Sequence, residues 1–281
     1  MDRGVEERIF LLLMQASTAL IVGSLLSIVI VVLVRGAPAL TVQMLTETPK
    51  GGYYLGKEGG VLNAIVGSVY LAGGATVISI AISLPVALYL NEYAARSRFA
   101  AFTRNSLDLL WSIPSIIYGV FGFIVMVYLG IGASLLGGIL ALTLLELPIM
   151  IRAMDEVLRT VPLRLKEASY SLGATRLETA IHMVIRQALP GLMMAVLLAL
   201  GRAMGDAASV LFTAGYTDSL PTSLFNPVAS LPLAVFFQLG TPFPEVQQRA
   251  YASGFILLAL ILSLSVGSRL LTRRLSRFII K

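Results

Sequence analysis

The sequence predicts an all-α membrane protein with six transmembrane helices, built as a single domain over residues 1–281. The first observation is composition: 57% of the residues are hydrophobic, 13% are charged and the mean hydropathy is +0.87, whereas soluble domains average about half apolar and about a quarter charged residues. The second is six apolar segments that approach or exceed the ~20 residues a helix needs to cross a bilayer. The third is the clustering of basic residues in alternate connecting segments.

The six predicted spans are separated by connections of uneven length. In chain order they are Phe10–Val34, Ala64–Leu90, Leu107–Leu129, Ser134–Ile151, Pro190–Ala214 and Ala250–Leu271. The first is expected to be a retained helix and not a signal peptide, because it is too long and is followed by Arg35. Pro85, Pro114 and Pro148 interrupt the second, third and fourth spans, where they either free carbonyl groups to line a cavity or serve packing alone.

The basic residues set the predicted orientation. Most of the 21 lysines and arginines fall before the first span, between the second and third, between the fourth and fifth, and after the sixth. Because basic segments resist translocation, both termini are expected in the cytoplasm. The net charge of +6 is then a topology signal, so no nucleic-acid partner is expected.

The composition provides few of the residues that commonly bind metals or catalyse reactions. With no cysteine and one histidine, thiolate and histidine-cluster metal sites are excluded, and neither a metal nor a cofactor is expected in this chain. The segment Gly51–Glu58 matches much of a phosphate-binding loop, but Glu58 stands where that motif needs Ser or Thr for magnesium. We interpret it as a glycine-rich external turn.

The predicted cytoplasmic connection Arg152–Leu189, called the elbow below, has the signals of two helices. Pro162 suits the first turn of a helix that runs to Leu172, and Gly173 can adopt the left-handed conformation that ends it. Thr175 and Glu178 form a capping-box pattern that opens a second helix. A stiff helical elbow, too small to bury a core of its own, predicts a protein partner.

Charged residues within the predicted spans are the candidates for a transport path. Arg202 lies near the middle of the fifth span, and such a position costs ~2.5–3.5 kcal/mol on insertion scales unless the side chain meets a partner, a wet cavity or a ligand. Asp206 follows at i+4, on the same helical face. Two interpretations remain open: a pathway role for both residues, or an ion pair within the helix that serves structure alone. Gly201 and Gly205 flank them and would allow a neighbouring helix to pack closely.

Two further charges lie in or next to the fourth span. Glu146 is an acid within it, and Arg202 of the following span is its expected counter-charge. Arg152 ends the span, where it is either a positive-inside anchor or a second residue of the path.

The elbow resembles the EAA loop of ABC importer permeases. The resemblance rests on Glu167-Ala168-Ser169 followed at the family spacing by Gly173, Ala174 and Thr175. Four further segments are similar to the membrane subunits of phosphate importers, with the PstA type the closer match: Gly59–Ser68, Pro85–Tyr93, Ile113–Gly119 and Arg202–Asp206. This sequence departs from the family at Arg186, where a proline is common, and at Asp206, where the family has Glu.

The resemblance implies a type I ABC importer (MetI-like) permease fold in a bacterial or archaeal inner membrane. It implies that the chain forms half of a path for inorganic phosphate, with Arg202, Asp206 and Arg152 in the path and the EAA residues as the coupling helix. The implied partners are a second, PstC-type permease, a PstB-type ATPase dimer that binds ATP and magnesium, and an external PstS-type phosphate-binding protein. The alternatives are another oxyanion as substrate, a stand-alone channel or secondary transporter, and an intramembrane enzyme, for which no catalytic set is found.

Overall fold

The computed structural model describes residues 3–50 and 58–275, and these parts of the chain are mainly helical. The predicted turn Gly51–Glu58 lies, apart from Glu58, outside the described residues. The helices are α1 (Arg3–Gly36), α2 (Val42–Thr46), α3 (Leu62–Leu88), α4 (Arg98–Trp111), α5 (Ser115–Tyr128), α6 (Leu135–Arg159), α7 (Leu163–Ser171), α8 (Arg176–Glu178), α9 (Ile185–Gly205), α10 (Leu231–Leu239) and α11 (Pro244–Leu275). Two short strands, β1 (Pro49–Lys50) and β2 (Glu58–Gly59), pair antiparallel.

Two π-helical turns extend the long helices. The first, Tyr89–Tyr93, continues α3, and the second, Thr179–Val184, joins α8 to α9 in one continuous helix from residue 176 to residue 205. Pro190, expected to open the fifth span, therefore lies inside a helix that begins in the elbow. Membrane helices tolerate an interior proline where their neighbours satisfy the freed backbone groups.

Five helices within the described residues are long and apolar enough to cross a membrane, and a sixth span requires α4 and α5 together. The predicted span Leu107–Leu129 is interrupted at Pro114, as expected, and the chain bends by 96° between α4 and α5. Pro114 causes the break: its backbone is extended (ψ 138°) and proline has no N–H to continue the ladder. The Tyr118 hydroxyl donates to the carbonyl of Leu110 at 2.8 Å and so satisfies a backbone group next to the bend.

The core lies around α6, which is buried along most of its length and packs against α3, α4, α5 and α9. Small side chains on α3, among them Ala72 and Ala75, allow close packing of α3 against α6. The helix α1 packs against α11 on the outside of the bundle. At this contact Gly36 is required, because a Cβ there would lie 2.7 Å from the carbonyl oxygen of Tyr251.

The helix α9 ends midway through the bundle. Ala203 and Met204, in its last turn, share a hydrophobic cluster with Leu142 and Leu145 from the middle of α6. Beyond Gly205 the chain continues without regular helix to α10, so the predicted helical span Pro190–Ala214 is wrong after Gly205. Backbone hydrogen bonds tie this irregular segment to the start of α6, from Ser134 N to the carbonyl of Thr213 at 2.9 Å among others.

Candidate transport path and coupling surface

Arg202 lies in the last turn of α9, and its side chain is exposed. It lines a cleft of about 440 Å³ between α4, α6, α9 and α11, called the cleft below. Other lining residues are Trp111, Ile149, Gly201, Ser265 and Arg269. The position favours a cation, because the unpaired carbonyl groups at a helix C-terminus carry partial negative charge.

Asp206 does not pair with Arg202. The helix ends at Gly205, and Asp206 is its C-cap with extended backbone (ψ 121°), so the i+4 spacing no longer places the two side chains on one face. The Asp206 carboxylate instead accepts hydrogen bonds from Ser209, from the backbone N–H at 2.8 Å and from the hydroxyl. Among the described residues Arg202 forms no ion pair, and the structural interpretation of an Arg202–Asp206 pair is not supported.

The α9 surface next to Arg202 is open. A Cβ added at Gly201 or at Gly205 would meet no atom within 4 Å. The close helix approach expected at these glycines is therefore not made by the part of the chain that the structure describes. Together with Arg202, the two glycines leave this end of α9 accessible from outside the subunit.

Glu146 lies elsewhere in the bundle. Its side chain is fully buried on α6 and faces α3, where Thr76 Oγ1 donates to its Oε1 at 3.0 Å. Its second carboxyl oxygen has no hydrogen-bond partner within the described ranges. The expected counter-charge, Arg202, is not in contact with it, so that pairing was a wrong prediction. Nothing in the sequence indicates which way this side chain points, since an acid on a buried helix has several neighbours.

Arg152 is paired with carboxylates. Its guanidinium lies 2.6 Å from Asp108 Oδ1, 3.4 Å from Asp155 Oδ2 and 3.7 Å from Glu156 Oε1. It is absent from the lining of the cleft that contains Arg202. The structure thus separates two residues that the sequence grouped in one path.

Asp155 is the centre of this ionic network, and the sequence analysis missed it. Its carboxylate is fully buried and accepts two hydrogen bonds from Arg104, at 2.9 and 3.0 Å. Asn91 donates to it at 2.7 Å, and Arg159 lies 3.1 Å away. The spacing was the available signal, because Arg152 lies three residues before Asp155 and Arg159 four residues after it, and such residues share a helical face. We call these residues the Asp155 network.

The elbow folds as the sequence predicts from Pro162 onward, whereas its first residues, 152–159, continue α6, which ends at Arg159 and not at the predicted Ile151. The helix α7 begins after Pro162 and is followed by Gly173 in the left-handed conformation, with φ +86°. Thr175 caps α8: its hydroxyl accepts from Glu178 N at 3.3 Å, and the Glu178 carboxylate accepts from Thr175 N at 2.8 Å. Hydrogen bonds from the Thr175 backbone and hydroxyl hold the pKa of Glu178 below its ordinary value.

The EAA residues lie on this elbow in two environments. Glu167 and Ala168 lie on α7 and are exposed, whereas Ser169 is half-buried and has its hydroxyl 2.8 Å from that of Thr179. Ala174, also half-buried, completes the turn. The elbow also exposes apolar side chains, of which Leu172 is 89% exposed. A rigid turn with exposed apolar groups is typical of a docking surface.

An ion pair anchors α7 to the rest of the subunit. Lys166 Nζ lies 2.5 Å from Glu92 Oε1, and both side chains are mostly buried. Glu92 belongs to the π-helical turn after α3, next to Asn91 of the Asp155 network. The elbow is therefore connected by polar contacts to α3, α4 and α6.

Comparison with known proteins defines the class. Residues 79–277 match the family described as binding-protein-dependent transport system inner membrane components. The chain belongs to this family, the membrane permease subunits of ABC importers, and is a multi-pass membrane protein.

Curated relatives cover most of the chain. It is similar to the phosphate transport system permease protein PstA of Haemophilus influenzae, with 34% identity over 86% of this chain and 85% of the relative. The PstA protein of Yersinia pestis is 32% identical over 96% of this chain and 90% of the relative. A probable ABC transporter permease of Bacillus subtilis, YqgI, is 28% identical over 96% of both chains.

Solved structures share the fold. A chain of the inward-facing MetNI methionine ABC transporter superposes with a TM-score of 0.63 at 21% identity, covering 76% of this chain and 95% of that chain. A second crystal form gives a TM-score of 0.60 at 20% identity. The predicted fold class, an all-α permease of the MetI-like type, is confirmed.

Proposed function

We propose that this subunit carries inorganic phosphate inward, as half of the membrane path of an ABC importer. The observation that carries the proposal is Arg202, an exposed guanidinium at mid-depth of the bundle that lines a cleft and has no carboxylate partner among the described residues. A guanidinium suits phosphate because its planar donors match two oxygens at once. The names of the relatives, which are phosphate permeases, support this substrate.

The energy for transport comes from partner subunits. A PstB-type ATPase dimer binds ATP and magnesium, and the Glu167–Thr175 part of the elbow docks on it. A PstC-type permease supplies the other half of the path, and a PstS-type binding protein delivers phosphate from outside. Both termini lie in the cytoplasm. This subunit has no ATPase site of its own: the exposed, rigid elbow supports a role in coupling.

The first experiment removes the Arg202 side chain. Arg202→Ala is expected to abolish phosphate uptake by the complete transporter in vesicles while assembly and ATP hydrolysis persist, because the fold does not depend on an exposed side chain that forms no ion pair within the described residues. Arg98→Ala is the control, since Arg98 is also an exposed arginine but lies outside the cleft. Normal uptake by the Arg202 variant would remove Arg202 from the path.

Substrate identity and coupling need separate measurements. The rate of ATP hydrolysis by the complete transporter is measured with binding protein loaded with phosphate or with sulfate. Phosphate is expected to stimulate hydrolysis more strongly.

Glu167→Lys is expected to prevent co-purification of the ATPase, because Glu167 lies on the proposed docking surface and retains solvent access. Transport by the isolated chain without ATP would contradict the coupling proposal.

A further inference from the structure

The cleft contains a second arginine. Arg269 of α11 lines it together with Arg202 of α9, although the two residues are far apart in the sequence. In the sequence Arg269 falls among the basic residues near the end of the sixth span, where it counts as a topology signal. The structure places it on the same surface as Arg202.

Neither arginine is neutralised within the described residues. Arg104, Arg152 and Arg159 all form ion pairs with acids, whereas Arg202 and Arg269 form none. The described lining of the cleft includes no carboxylate: Asp206 is bound to Ser209, and Glu146 faces Thr76 on another side of the bundle. Two like charges on one cleft of a membrane-spanning bundle are costly without an anion between them.

The rest of the lining suits a small oxyanion. Ser265 adds a hydroxyl group on the α11 wall, whereas the hydroxyl of Ser268 donates to the carbonyl of Ser265 at 2.7 Å. Trp111 and Ile149 supply apolar walls. Two guanidinium groups together present enough planar donors for several oxygens of one tetrahedral anion. The volume of about 440 Å³ is ample for such an anion.

We propose that Arg269 is a second oxyanion-binding residue of the transport path and that it shares the phosphate group with Arg202. This inference rests on the proposed function. The phosphate group has two conceivable sources, inorganic phosphate or a phospholipid headgroup, and the chemistry of the site is the same for both. We assign it to inorganic phosphate, because Arg202 neighbours Ala203 and Met204, which pack against Leu142 and Leu145 within α6 and not at an end of that helix.

The test compares Arg269→Gln, Arg269→Lys and Arg98→Gln in the complete transporter in vesicles. Uptake of radiolabelled phosphate per ATP hydrolysed is expected to fall about tenfold in Arg269→Gln, the scale of one lost hydrogen bond to a charged group. Arg269→Lys, which keeps the charge without the planar fork, is expected to recover part of the loss. Arg98→Gln, which removes one exposed charge outside the cleft, is expected to behave as wild type. Co-purification of the partner subunits confirms assembly for each variant.

The outcomes separate this inference from the proposed function. If Arg202→Ala abolishes uptake while Arg269→Gln equals Arg98→Gln, the role of Arg269 is overturned and the proposed function stands. If the wild-type transporter takes up no phosphate, the proposed function itself fails. Native mass spectrometry measures whether phospholipid stays bound to the transporter. If Arg269→Gln loses bound phospholipid while phosphate uptake is unchanged, the site binds a lipid headgroup and Arg269 is not part of the transport path.

Discussion

Asp155 shows at the residue level how a buried charge is stabilised in this subunit. Its fully buried carboxylate accepts hydrogen bonds from Arg104 and Asn91 and lies next to Arg152 and Arg159. Burying a lone carboxylate would cost several kcal/mol, and the paired arginines offset this cost. Arg152 is thereby held against the carboxylates of Asp108, Asp155 and Glu156.

The Asp155 network yields a stability prediction. Asp155→Asn is expected to destabilise the subunit by ~3–5 kcal/mol, because removal of one member of a buried ion pair leaves the other charge uncompensated. The measurement is thermal unfolding of the purified protein in detergent. Glu156→Gln is the matched control: Glu156 lies one residue away and also contacts Arg152, but its side chain is 67% exposed. Exposed pairs contribute ~0–1 kcal/mol, and equal unfolding temperatures for the two variants would contradict the buried role.

At the level of elements, the elbow depends on the backbone of Gly173. Its φ of +86° is strained for residues with a Cβ, while the space around it is open, because a Cβ added there would meet no atom within 4 Å. Gly173→Ala is therefore expected to cost ~1–2 kcal/mol through conformation alone and to weaken co-purification of the ATPase. Gly173→Asn is the control, because Asn tolerates the left-handed region better than Ala. Equal loss in both variants would show that the glycine is needed for contact and not for conformation.

The sequence predicted the elements that local chemistry decides. The proline before α7, the left-handed Gly173 and the Thr175–Glu178 capping box each depend on residues within one helical turn, and all three are present. The long apolar segments likewise predicted most of the spanning helices, because the hydropathy of a segment depends only on its own residues and not on tertiary contacts.

The sequence did not predict what tertiary contacts decide. The end of α9 at Gly205 depends on backbone hydrogen bonds between the segment that follows and the start of α6, so apolar composition alone extended the helix too far. The pairing of Arg104 with Asp155 joins two helices that are distant in sequence. The position of Arg269 in the cleft could not be predicted for the same reason, because it depends on how α11 packs beside α9.

Across the whole molecule, α6 connects the elbow to the cleft. Lys166 of the elbow pairs with Glu92, and the neighbouring Asn91 bonds to Asp155 of α6. The same helix contributes Ile149 to the lining of the cleft. Because α6 is buried along most of its length, we expect a displacement of the elbow to be transmitted along it. The Lys166–Glu92 ion pair is the first contact of this route.

That route predicts a separation of ATPase binding from transport. Lys166→Met is expected to leave the ATPase bound, because the exposed surface of the elbow is unchanged, while phosphate uptake per ATP hydrolysed falls at least about fivefold, the lower end of usual coupling energies. The charge-swapped double variant Lys166→Glu with Glu92→Lys restores an ion pair at the same place and is expected to recover uptake above either single variant. Full coupling in Lys166→Met, or no recovery in a double variant that assembles normally, would show that movement of the elbow reaches the cleft by another contact.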